Sequence, residues 1–116
     1  MISQIIPKIP FIDKGKTIDY YKNLGFEFVA DYENYLIATY NNSELHFFEF
    51  KKLIPSKSDF MLYLKISNNI DKFFEQVVAK NITIHPNGNL ETKPWGMKEF
   101  SLLDPNGTLL SFGEII

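Results

Sequence analysis

Apolar residues along this chain alternate with polar ones more often than they recur at helical spacing, and the alternation falls into two similar runs. Ile5 to Ile12 is apolar but interrupted by Pro7 and Pro10, which suits an edge strand or a strand end. Asp13 caps a turn containing Gly15. Thr17 can then cap a helix whose Ile18, Tyr20, Tyr21 and Leu24 share one face, and Gly25 stops it. Phe26 and Phe28 flank Glu27 as in a strand. Tyr35–Tyr40 and Leu45–Phe50 are two more strands, joined by an Asn41, Asn42, Ser43 turn.

The second run follows a polar linker at about 51–58. Phe60–Ile66 reads as a strand, and Ser67 or Asn68 as the cap of a helix burying Ile70, Phe73, Phe74, Val77 and Val78. Ile82 and Ile84 suggest a short strand and residues 85–93 a loop. Trp95–Leu103 and Thr108–Glu114 then form a hairpin around the Asp104–Gly107 turn. The order is β-α-β-β-β twice, an α+β fold in a single domain over 1–116. Module one covers about 1–53 and module two about 59–116. Tyr20, Tyr21 and Leu24 match Phe73, Phe74 and Val77 at a spacing of 53 positions. Asn42, Leu45 and Phe48 match Asn106, Leu109 and Phe112 at a spacing of 64.

Composition narrows the function. The 116 residues contain no cysteine, which excludes disulfides, thiol nucleophiles and thiolate metal sites. Net charge is −2, and every basic residue other than histidine is lysine, so there is no electrostatic footprint for nucleic acid. The N-terminal MISQIIPKIP has neither a basic n-region nor a long apolar run, so a cytoplasmic protein without a membrane span is expected. Aromatic residues make up 16% of the chain, enough for a core and for a stacking pocket besides.

Four stretches carry a resemblance: IPFID at 9–13, YYKNLGFE at 20–27, SELHFFEF at 43–50 and PWGMKEFSLLDPNGTLLSFGE at 94–114. With them the chain resembles the glyoxalase, bleomycin-resistance and extradiol-dioxygenase (vicinal-oxygen-chelate) superfamily, and within it most of all the bleomycin-resistance branch. The resemblance implies two tandem βαβββ modules forming curled mixed sheets, with the helices on the outer face. It also implies a homodimer whose modules pair across the interface to form clefts. Enzymes of the superfamily hold a metal with His or Glu on the first and last strands of each module. The matching positions here are near Ile6 and Met61, at Ser111, and at Phe47, or His46 if the register slips by one. That set cannot hold a metal, so no metal and no cofactor are expected, and no catalytic residue is assigned. His46 reads as a structural histidine and His85 as a solvated one.

The resemblance therefore implies a metal-free binder that sequesters a flat, cationic, aromatic drug of the bleomycin type at a dimer interface. Strand alternation puts Trp95, Met97, Glu99 and Ser101 on one face. In module one it puts Tyr35, Ile37 and Thr39 on the concave side, followed by Leu45, Phe47 and Glu49. The candidate ligand-binding residues are thus Trp95, Glu99, Met97, Ser101, Tyr35, Phe47, Glu49 and Ser111. Trp95 stacks on a planar ligand in this reading, while Glu99 and Glu49 pair with its cationic groups. Lys8 and Lys65, on the first strands, suit an anionic ligand better. The alternative is a metal-independent lyase or isomerase of the same superfamily acting on a small metabolite. The Asp104–Gly107 turn reads as ordinary turn chemistry that sets strand register.

Overall fold

A computed structural model describes residues 1–116. Module one contains β1 (Lys8–Phe11), α1 (Lys14–Leu24), β2 (Glu27–Asp31), β3 (Tyr35–Tyr40) and β4 (Ser43–Glu49). Module two contains β5 (Met61–Lys65), α2 (Ile70–Ala79), β6 (Glu91–Lys93), β7 (Met97–Leu103) and β8 (Leu109–Ile115). Each module is one open four-stranded mixed sheet, ordered β1-β4-β3-β2 and β5-β8-β7-β6. In each, the first strand runs parallel to the last and the other neighbours are antiparallel. No helix is long and apolar enough to cross a membrane.

Local chemistry explains the elements. The Asp13 side chain accepts from the Lys16 amide at 2.9 Å and caps α1, which starts earlier than a Thr17 cap would allow. Thr17 lies inside the helix, fully buried, with its hydroxyl donating to the Asp13 carbonyl. Gly25, at φ 108°, closes α1 in the left-handed conformation. The cap of α2 is Asn69, one residue beyond the expected pair, and the Glu114 carboxylate accepts from the amides of Asn69 and Ile70. The acid at the end of β8 thus neutralises the orphan donors and the positive end of α2.

One helix packs on one face of each sheet. Tyr21 meets Phe47 edge-on with ring centroids 4.9 Å apart, and in module two Phe73 and Phe74 pack on the stacked Phe100–Phe112 pair. Two strand assignments change. Ile82 and Ile84 contribute only an isolated bridge from Ile84 to Leu102, while Glu91–Lys93, inside the expected loop, form β6. As a polar edge strand, Glu-Thr-Lys carries no apolar alternation to reveal it. The repeat spacing in the last strands also shifts. The buried pair Leu45 and Phe47 corresponds to Leu110 and Phe112, 65 positions later, whereas a spacing of 64 would match half-buried Phe48 with buried Phe112.

The Asp104–Gly107 turn does more than join two strands. Asp104, Asn106 and Thr108 are all buried, between the modules. Tyr21 donates its hydroxyl to Asp104 at 2.6 Å, the Ile12 amide donates to Asn106 Oδ1 at 2.9 Å, and Asn106 Nδ2 donates to Thr17 at 3.2 Å. Asp104 Oδ1 accepts from the amides of Asn106 and Thr108. Gly107 has φ +82°, and a Cβ there would lie 2.1 Å from the Pro55 carbonyl oxygen. The turn of module two is therefore clasped by α1 of module one and by the linker.

Candidate functional site

The faces of the two sheets turned away from the helices carry the polar and exposed aromatic residues. In module two, register aligns Tyr63 with Ser111 and Ser111 with Ser101, and aligns Gly113 with Glu99. Met97, Glu99 and Ser101 share this face with Ser111, as alternation requires, and the Ser101 and Ser111 hydroxyls are 3.1 Å apart. Trp95 lies in the tight turn between β6 and β7, outside the strand it was expected to open. It is 65% exposed, and its indole Nε1 reaches back to donate to Glu99 Oε2 at 3.1 Å.

Tyr63 completes this group. Its hydroxyl donates to the same Glu99 oxygen at 2.7 Å. The phenol is pushed up to about 12 in all, first by desolvation and then by the hydrogen bond to Glu99 and its charge. Tyr63 can lie across the sheet because residue 113 has no side chain: a Cβ on Gly113 would sit 1.8 Å from the phenol oxygen. Tyr63 escaped the sequence reading, although it lies two residues beyond Met61 and alternation gives both the same face.

In module one the register corrects two candidates. Ile37 pairs with His46 and Tyr35 with Phe48, so His46, Phe48 and Glu44 share the open face with Tyr35, Ile37 and Thr39. Phe47 is completely buried against Tyr21 and Phe28 on the helix side and lines no cleft. Glu49 has the same parity as Phe47, and its carboxylate lies 3.9 Å from Lys51. The one-residue slip exchanges faces, because side chains alternate with a period of two. What the open face holds instead is a chain of contacts. The Tyr35 hydroxyl is 2.7 Å from His46 Nδ1, His46 Nε2 is 3.0 Å from Glu44, and the Lys8 ammonium lies 5.3 Å from the centre of the Tyr35 ring.

The positions matched to the metal ligands of superfamily enzymes move with the register: Ile6 precedes β1 and Met61 pairs with Leu109, whereas Lys8 aligns with His46 and Tyr63 with Ser111. A lysine, one imidazole, a phenol and a serine do not make a divalent-metal donor set, and no three His, Asp or Glu side chains converge anywhere in the chain. These residues do not fit the metal. A concavity of about 690 Å³ lies between the modules, lined by residues such as Leu24, Phe26, Tyr40, Leu64, Phe73 and Phe112, with Glu44 and Tyr63 also on its wall. It contains none of the eight candidates. Within one chain the candidate faces are open sheets rather than enclosed pockets.

Comparison with known proteins agrees with this architecture. Residues 8–112 match the family described as the Glyoxalase/Bleomycin resistance protein/Dioxygenase superfamily. The chain belongs to this superfamily. It is 30% identical to a bleomycin resistance protein of Klebsiella pneumoniae, over 95% of this chain and 90% of that one. It is 24% identical to a bleomycin resistance protein of Geobacillus stearothermophilus, over 97% of each. Among solved structures, a bleomycin-binding protein complexed with bleomycin superposes with a TM-score of 0.86 at 28% identity, covering 99% of this chain and 100% of that one. A bleomycin resistance determinant encoded on transposon Tn5 gives a TM-score of 0.87 at 28% identity, covering 98% of both. The superfamily fold therefore extends over essentially the whole chain, open faces included.

Proposed function

We propose that this protein binds and sequesters a bleomycin-type drug, without metal and without catalysis, in clefts formed when two copies pair their open faces. The observation that carries the reading is Trp95, mostly exposed and tethered to Glu99 on an open sheet face. A water-exposed tryptophan fixed by its own N–H presents a ring face for stacking on a planar ligand. The relatives support the choice of ligand: two are bleomycin resistance proteins, and one solved relative holds the drug. Shallow faces within one chain support the dimer, because a second copy supplies the missing wall. A cytoplasmic location belongs to the same reading.

The sole tryptophan makes the test direct. Metal-free bleomycin is expected to quench its fluorescence saturably, at one drug per cleft, and sedimentation at micromolar concentration is expected to give a dimer. No quenching together with no thermal shift across bleomycin-type drugs would sink the binding reading, and a monomer would sink the interface.

One observation favours the enzyme alternative. The Glu44–His46–Tyr35 chain has the form of a carboxylate-oriented imidazole acting on a hydroxyl. If that chain works as acid and base, a metal-free lyase or isomerase activity would vanish in His46→Gln with the fold intact. In the binder reading the same substitution leaves drug quenching in place.

A further inference from the structure

The concavity of about 690 Å³ between the modules touches five consecutive residues of one strand and its end, 62–66. Successive side chains of a strand point to opposite faces, so a space that meets all five lies off the strand's edge. β5 is the last strand of its sheet, and that edge has no neighbouring strand. Core residues of both modules reach the same space: Leu24 and Phe26 from module one, Phe112 from module two, with Phe73 of α2 packed beside it. Two charged side chains stand on its wall, Glu44 and Lys65. Glu44 lies 3.0 Å from His46 Nε2. Lys65 is exposed and joins no ion pair; the lysines that do are Lys14, Lys51, Lys93 and Lys98.

An apolar concavity of this size, with one unmatched charge at its rim, has the form of a small-molecule site. Phenylalanine rings on its walls favour an aromatic body, which gains by leaving water. The free ammonium favours an acid over a neutral molecule of the same shape. We propose that the inter-module cleft binds an aromatic monocarboxylate, its ring between Phe26, Leu64 and Phe73 and its carboxylate at Lys65. No residue assigned above to the drug lines this cleft. It is therefore a second site, and it stands or falls independently of drug binding.

Leucine methyl resonances report on the cleft, and the indole N–H of the sole tryptophan reports on the open face. The test titrates the full-length protein with naphthaleneacetate and, in parallel, with its neutral analogue naphthaleneacetamide. The expected result is a saturable shift of the Leu24 and Leu64 methyls with the acid, while the indole resonance stays in place. The amide is expected to bind at least fivefold more weakly, and Lys65→Met to bind both probes alike. Lys65→Arg is expected to keep the preference for the acid. Residue 65 is exposed, and unchanged thermal unfolding checks that both variants fold. No saturable methyl shift, a shift of the indole alone, equal binding of the two probes, or an undiminished preference in folded Lys65→Met would each overturn the site. Methyl shifts that follow protein concentration without any probe would mean that a second copy fills the cleft, and would overturn it too.

Discussion

The two modules repeat one fold, yet the same position in each does different work. The turn before the last strand is exposed at Asn41 and Asn42 in module one, where it only reverses the chain. In module two it is Asp104–Gly107, buried and bonded to α1 and to the start of the chain. The open faces differ as well. Module one carries an internally satisfied Tyr35–His46–Glu44 chain, and module two carries Glu99 with no cationic partner. Duplication supplied two equal frames. One module's turn became the joint between them, and its open face kept a carboxylate with no cationic partner.

Several measurements can break or sharpen that comparison. The largest effect is expected for the pair Phe47→Ala and His46→Ala, by urea unfolding. The first empties a fully buried aromatic site and costs about 4 kcal/mol. The second, on the open face, loses hydrogen bonds and costs about 1 kcal/mol. Equal costs would mean the faces of β4 are assigned wrongly. Next come the two turns. Asp104→Ala strands the Tyr21 hydroxyl and two amides and is expected to cost about 3 kcal/mol. Asn42→Ala is expected to stay within about 0.5 kcal/mol, as exposed positions usually do. A similar cost for both would remove the distinction between joint and plain turn.

The joint also has a pH signature. Burial raises the Asp104 carboxyl above its ordinary value, against hydrogen bonds from Tyr21, Thr108 and Asn106 that lower it. A group whose folded pKa exceeds its unfolded pKa binds its proton more tightly in the folded state. Its contribution therefore favours folding at low pH and is lost as pH rises through the raised value. Relative to Asp104→Asn, which cannot ionise there, the wild type is expected to gain thermal stability on acidification from neutral pH toward the ordinary carboxylate range. A constant difference across that range would contradict it. The smallest stability effect is expected on the open face of module two: Trp95→Ala changes folding by no more than about 0.5 kcal/mol. Its drug affinity, measured by calorimetry, is expected to fall at least tenfold.

Much of this fold was legible because local signals agree. Gly25 stops α1, and alternation marks both faces of β7 correctly, so Met97, Glu99 and Ser101 fall together, while α1 starts at Asp13, one turn before the expected Thr17 cap. The failures have physical reasons. β4 reads SELHFFE, with an aromatic on each face, so hydrophobicity alone cannot choose between Phe47 and His46; only the partner strand and the helix decide. β6 is polar on both sides and looks like loop. Turn chemistry at Asp104–Gly107 was readable, but its burial was not, because its partners are far away in sequence. Tyr63 was readable by alternation and was passed over because no motif marks it.

The joint has a consequence in time. Its hydrogen bonds connect residues 83, 89 and 94 positions apart, while each sheet closes within its own half of the chain. Contacts between distant residues are the slowest to form, since the intervening chain must first be ordered. Each half is then expected to assemble before the two lock together, leaving the lock out of the folding transition state. Weakening it, as in Asn106→Ala, is expected to accelerate unfolding while barely changing the refolding rate, so that the joint governs how long the folded protein lasts rather than how quickly it is made.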